Sequence, residues 1–247
     1  MKSDAHRQTG TFNTDSIAVP NIIPLAQAPS VIAPPPDQIL DASWVSDASG
    51  KWTNGADWST QVIVEVDGNP EIENEPVEPK GAYDVTLSPS GTTPFTVTYN
   101  TKDSINSLSS SQYATLKVTG GTLTLAANAG FSGTVDAQAG LIDAKDGWTV
   151  TGGFNLSAGA RLDIGAGNLA VSSGTLSGTV TGAGNLYFIG GDTFTLGTGF
   201  STTAGTLELG VNGDGYGSVV NLAENLSYTG LFEIDDYSGN NAQLNLG

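Results

Sequence analysis

Seven charged side chains between residues 117 and 163 have the types needed for one reaction. Arg161, Lys117 and Lys145 supply cations, and Asp136, Asp143, Asp146 and Asp163 supply carboxylates. Cleavage of a polyuronate uses such a set: carboxylates hold calcium against the uronate, and an Arg or Lys removes the proton. Arg161 and Asp163 alternate with Leu162 and Ile164, so they share the outer side of one strand. The expected outcome there is a surface ion pair worth under about 1 kcal/mol, not a catalytic corner.

Three further stretches invite chemistry and are read as structural. Residues 212–217, Asn-Gly-Asp-Gly-Tyr-Gly, begin like a calcium loop, but the fifth position is Tyr216 and the twelfth is Ala223, where an acid is needed. A glycine-rich corner insertion is expected. Residues 65–80 carry six acids and no base before Lys80, interleaved with Pro and Asn. Nothing in the sequence fixes those acids around an ion, so a mobile acidic loop is expected. Trp44, Trp52 and Trp58 fall within fifteen residues. They could form a sugar-stacking platform; the expectation is a cap over the end of a core, because large aromatics mostly serve burial. No residue is assigned as catalytic, cofactor-binding or metal-binding, and the chain is read as non-enzymatic.

Composition narrows the class further. Lys plus Arg number 8 against 25 Asp plus Glu, a net charge of −17. Phosphate neutralisation needs clustered cations, so a nucleic acid is not expected as partner. Cysteine is absent and His6 is the one histidine, which leaves no thiol chemistry and no histidine triad in the main body of the chain. No apolar run reaches the roughly 18 residues of a membrane-spanning helix, and no membrane insertion is expected. Asn155-Leu156-Ser157 and Asn225-Leu226-Ser227 match a glycosylation sequon and say little more.

The elements that would position these residues are strands. Residues 1–41 hold six of the eleven prolines and read as a disordered, proline-rich leader. Residues 42–100 read as a tryptophan-rich N-terminal cap with entry strands, carrying the acidic loop at 65–80. From Tyr83 onward apolar and polar residues alternate: Val85 with Leu87, Phe95 with Val97 and Tyr99, Leu116 with Val118, Leu123 with Leu125, Trp148 with Val150. That period marks strands with one buried face. Proline vanishes after Pro94, which fits strands hydrogen-bonded along both edges.

The strands recur in sevens. Residues 160–180 divide into ARLDIGA, GNLAVSS and GTLSGTV; residues 184–211 divide into GNLYFIG, GDTFTLG, TGFSTTA and GTLELGV. A strand plus a corner takes about seven residues, and three sides of about twenty-one close one turn of a coil that stacks at about 4.8 Å. Residues 101–247 would supply about seven turns, roughly 33 Å long. Insertions such as Thr181-Gly182-Ala183 fall at corners. The rival is an antiparallel β-sandwich in which Gly165-Ala166-Gly167 turns a hairpin. The apolar pattern still runs through 241–247, so a solenoid truncated at its C-terminus is expected.

Two stretches resemble bacterial surface β-helix proteins, namely autotransporter passengers and related large repetitive adhesins. SWVSDASGKWTNGADWS, followed by VEPKGAYDVTL, is similar to their spaced-tryptophan opening, matched here by Trp44, Trp52, Trp58, Pro79, Gly81, Asp84 and Val85. SINSLSSSQYATLKVTGGTLTLAAN is similar to the run that opens many of their helices. The acidic insert departs from that pattern, and no NPNG-type secretion motif occurs. The resemblance implies a right-handed parallel β-helix, an extracellular place on the bacterial surface, and a role in attachment, aggregation or display. The implied partner is a protein or glycan of a host or neighbouring cell. A glycan-binding or polysaccharide-cleaving β-helix and a structural stalk are the alternatives.

Overall fold

The structure, a computed structural model, describes residues 30–32, 35, 38–67, 69–190, 192–210, 218–234 and 242–246. His6, most of the leader and the 212–217 loop lie outside the described residues. The chain is a β-solenoid of about seven turns, in which three short sides form each turn and like sides pair in parallel with the turn before. The parallel pairing excludes the antiparallel sandwich. Gly165-Ala166-Gly167 is a corner leading from Ala160–Asp163 to Leu169–Leu176, not a hairpin.

Each face of the solenoid is a ladder that follows from the period-two alternation. On the first face Val85 lies beside Leu108, Trp148 beside Leu169, Leu169 beside Leu186, and Leu186 beside Leu207. The second face stacks Val97, Leu116, Val135 and Phe154 in turn, and the third stacks Leu123, Ile142, Leu162 and Val180. These side chains are buried. Each such burial is worth about 1.5–3 kcal/mol, and only the neighbouring turn can provide it.

The sevens of 184–211 coincide with Asn185–Phe188, Thr193–Leu196, Ser201–Thr202 and Thr206–Leu209, one side each. In 160–180 the division shifts: GTLSGTV holds the end of Leu169–Leu176 on the second face and the start of Thr179–Thr181 on the third. A side can thus be as short as two or three residues, because a corner of small residues needs little chain. Elsewhere a strand runs round a corner without a break. Ala114–Leu125 serves the second face and then the third, with its register stepping between Val118 and Thr122. Gly121 sits in that step with φ +76°, and a Cβ there would overlap the Thr101 carbonyl oxygen of the turn before.

At the N-terminal end the tryptophan stretch is part of the coil. Leu40–Trp44 pairs in parallel with Tyr83–Leu87 and opens the first face; Gly50–Lys51 pairs with Phe95–Tyr99 and opens the second. Trp58–Val66 then runs antiparallel to Leu40–Trp44 and closes that edge. The acidic stretch expected as a loop contains a strand, Asn69–Glu75, antiparallel to Trp58–Val66. Its alternation of acids with Pro and Asn carries no core pattern, because the strand is held by ladder hydrogen bonds and its side chains are mostly exposed. Ser30–Ile32 pairs with the other edge of Trp58–Val66, so ordered strand begins inside the stretch read as a disordered leader. The acids of Asn69–Glu75, on the outer strand of that hairpin, discourage further strand addition.

Candidate functional surface

The three indoles that could have stacked on sugar are buried in the first turn. Trp44, Trp52 and Trp58 are each no more than 1 % exposed. Trp58 meets Trp44 edge-on at 5.1 Å and Trp52 at 4.8 Å, and Trp52 packs on Tyr99 at 5.4 Å. Trp58 Nε1–H donates to the Trp52 carbonyl oxygen at 2.7 Å. They plug the end of the core, which corrects the platform alternative and agrees with their expected use as a cap.

The seven charged residues do not form one site. Lys117 and Asp136 are register neighbours on the outside of the second face. Asp143, Arg161 and Asp163 belong to the third face, and Lys145 and Asp146 are exposed on the corner after it. Asp143 and Asp163 stand side by side on successive turns. Lys145 pairs with Asp143 at 3.4 Å. The expected Arg161–Asp163 ion pair is not among the salt bridges of the described residues: Asp163 Oδ1 instead accepts the Gly165 N–H at 2.9 Å. A carboxylate that caps its own corner two residues on spends no side-chain entropy on a long partner, which is why it prevails.

What the fold presents outward is a regular polar array. Along the second face, Thr98, Lys117, Asp136 and Asn155 follow one another in register, then Thr175, Thr195, Asn221 and Asn245. Beside them Thr96, Thr115 and Thr134 form a parallel row on the first turns. The spacing is that of the β-ladder, about 4.8 Å. Neighbours support one another: Asn155 Oδ1 accepts the Thr175 N–H at 3.1 Å, and Asn245 Nδ2 donates to Asn221 Oδ1 at 2.7 Å. Hydroxyl and amide groups are held at fixed intervals on a rigid surface, with one lysine and one aspartate in the longer row.

One charged cluster was missed by sequence reasoning. Asp103 occupies the inward position two residues before Ile105 on Lys102–Ile105 and is 8 % exposed. It heads the third column, beside Leu123. Burial raises its pKa most, and the Glu78 charge raises it further; Lys80 and a Tyr99 contact pull it down by less. The available signal was the alternation itself, which puts Asp103 on the same side as Ile105. A nearby cleft of about 230 Å³ is lined by Gly81, Ala82, Ser104, Ile105, Asn106 and Ala126, with no charged or aromatic side chain. Among the described residues no three His, Cys, Asp or Glu side chains are grouped to hold a metal ion. No helix of the described residues is long and apolar enough to cross a membrane.

No known protein family, curated protein or solved structure matches the chain.

Proposed function

We propose that this chain is a non-enzymatic attachment module of a bacterial cell surface, of the kind found in autotransporter passengers and large adhesins, and that it works through the outside of its solenoid. The observation that carries this reading is the second face, where Thr hydroxyl and Asn amide groups repeat in register outside while Phe154, Leu176, Phe194, Leu196 and Val220 are buried inside. A stiff array of this kind suits many weak hydrogen bonds to a protein or glycan of another cell, with affinity gained by multiplicity and not by one deep pocket. The separation of Lys117 and Asp136 from Arg161 and Asp163 onto different faces supports a non-catalytic role.

The test is adhesion of beads coated with the purified chain. Thr175→Glu combined with Thr195→Glu places two charges in the row and is expected to reduce bead attachment to cells several-fold, with the circular dichroism spectrum unchanged. Arg161→Ala, on another face, is expected to leave attachment intact. If a neutral rod of equal length attaches cells as well as the parent, the stalk reading replaces this one. Release of unsaturated products from a polyuronate would overturn the non-enzymatic reading.

A further inference from the structure

The two glycosylation sequons stand in opposite structural settings. Asn155-Leu156-Ser157 begins inside Trp148–Leu156, and Asn155 lies in the ladder between Asp136 of one turn and Thr175 of another. Its Oδ1 accepts the Thr175 N–H at 3.1 Å, and the Ser157 N–H donates to the Ala137 carbonyl oxygen at 2.8 Å. Leu156, between them, is 1 % exposed. A modifying enzyme can engage that tripeptide only after the ladder on both sides has opened, an event far rarer than the motion of a surface segment.

Asn225-Leu226-Ser227 belongs to the 223–230 segment, which joins Val219–Leu222 on the second face to Leu231–Ile234 on the first. It passes where earlier turns carry the third-face strands Ala160–Asp163, Thr179–Thr181 and Ser201–Thr202, but is itself no strand. Its ends are tied to the turn before: the Ala223 N–H donates to the Leu196 carbonyl oxygen at 2.9 Å, and the Leu231 N–H to that of Gly205 at 3.1 Å. Between those ties, among the described residues, its backbone bonds to no other backbone group. Side chains hold it instead. Leu226 and Tyr228 pack partly buried against the core, the Tyr228 hydroxyl donates to the Ala204 carbonyl oxygen at 2.9 Å, and Glu224 Oε1 accepts the Gly199 N–H.

The exposure along this segment alternates with period two. Asn225 and Ser227 are exposed, whereas Leu226 and Tyr228 turn inward. In extended backbone, side chains two residues apart lie on one side. The Asn225 amide and the Ser227 hydroxyl thus face solvent together, and among the described residues neither is engaged in a hydrogen bond.

We propose that Asn225 is an N-glycosylation site, and that Asn155, which carries the same sequence signal, is excluded by its place in the ladder. The co-substrate is a sugar carried on a diphosphate leaving group, supplied to a glycosyltransferase of the producing cell. A bond forms between Asn225 Nδ2 and the anomeric carbon as the carbon–oxygen bond to the diphosphate breaks. The diphosphate leaves with the electron pair, and one amide proton passes to a base of the transferase. Ser227 is the positioning residue, read together with the amide two residues before it. A sugar there is bulky and solubilising; it projects from the third side of the coil and leaves the polar row of the second face uncovered.

The test is mass spectrometry of proteolytic peptides from the chain isolated from the cells in which it occurs. A sugar is expected on the peptide that contains Asn225 and none on the one that contains Asn155. It is expected to vanish in Asn225→Gln and Ser227→Ala and to persist in Ser227→Thr, all three being exposed changes that leave the circular dichroism spectrum intact. Purified unmodified chain, given a sequon-specific N-glycosyltransferase and a nucleoside-diphosphate hexose, is expected to gain one hexose at Asn225, with Asn155 modified at least about tenfold more slowly. Absence of sugar on Asn225 in the isolated chain overturns the site, whatever the purified transferase does. Sugar retained in Ser227→Ala also overturns it, as does modification of Asn155 in the folded chain at the rate of Asn225.

Discussion

Gly153 and Gly174 offer a test of the stacking register, because the same change should act in opposite directions one turn apart. Gly174 lies inward on the second face, between Phe154 of the turn before and Phe194 of the turn after. Its φ is +130°, and an added Cβ would overlap the Phe154 carbonyl oxygen and approach its carbon to 2.7 Å. The obstruction is backbone, so no side-chain rotation relieves it. Left-handed strain costs about 1–3 kcal/mol, and forcing atoms into a packed core another 1–3 or so. Gly174→Ala is thus expected to cost about 2–6 kcal/mol. Gly153 carries no left-handed strain, and a Cβ there would meet only Thr134 side-chain atoms at 3.5 and 3.6 Å, an ordinary contact. Gly153→Ala removes freedom from the unfolded chain and is expected to stabilise by up to about 1 kcal/mol. With a urea dependence near 2 kcal/mol/M, the midpoint falls by about 1–3 M for Gly174→Ala and rises slightly for Gly153→Ala. Far-UV circular dichroism in a urea series reads both. Since each turn touches only its neighbours, the damaged variant should also unfold over a broader range. Equal midpoints for the two variants would refute the register that places Gly174 between two phenylalanines.

Other substitutions probe the same architecture. Leu162→Ala empties a position in the third column between Ile142 and Val180 and should cost about 2–5 kcal/mol, while Arg161→Ala, one residue away and exposed, should stay within about 0.5 in the same urea series. Trp58→Phe removes the Nε1–H bond to the Trp52 carbonyl and should lower the calorimetric melting temperature by the equivalent of at least 1 kcal/mol or so. Lys145→Ala breaks the 3.4 Å pair with Asp143; because Lys145 is largely exposed, the loss should be under about 1 kcal/mol and should vanish at about 1 M salt in thermal melts. Soluble oligosaccharides should leave the fluorescence of the tryptophans unquenched, since all four are buried.

Much of this molecule was written locally. Alternation of Leu162 with Arg161 and Asp163, or of Leu186 with Tyr187, tells inside from outside on each side of the coil without reference to any neighbour. Small residues at 165–167 and 182–184 mark corners for the same reason: a sharp turn needs backbone that bulky side chains obstruct. The alternation is a property of one strand, so it sufficed to foresee strands, corners and a core of Leu, Val, Ile and Phe. The polar row on the second face was implicit in the same pattern, as its unburied half.

Contacts between turns depend on residues some twenty positions apart, and there the amino-acid order alone was insufficient. Asn69–Glu75 has no apolar alternation; it is a strand because Trp58–Val66 offers it a ladder. Asp163 turned to the Gly165 amide and left Arg161 exposed because the corner brought a donor closer than the guanidinium. Asp103 looks like any surface acid until the 76–82 segment crosses over it with Glu78 and Lys80. Faces and corners are thus fixed by short-range sterics and side-chain polarity, whereas pairing partners and the cost of a buried charge arise only when distant segments exclude water between them.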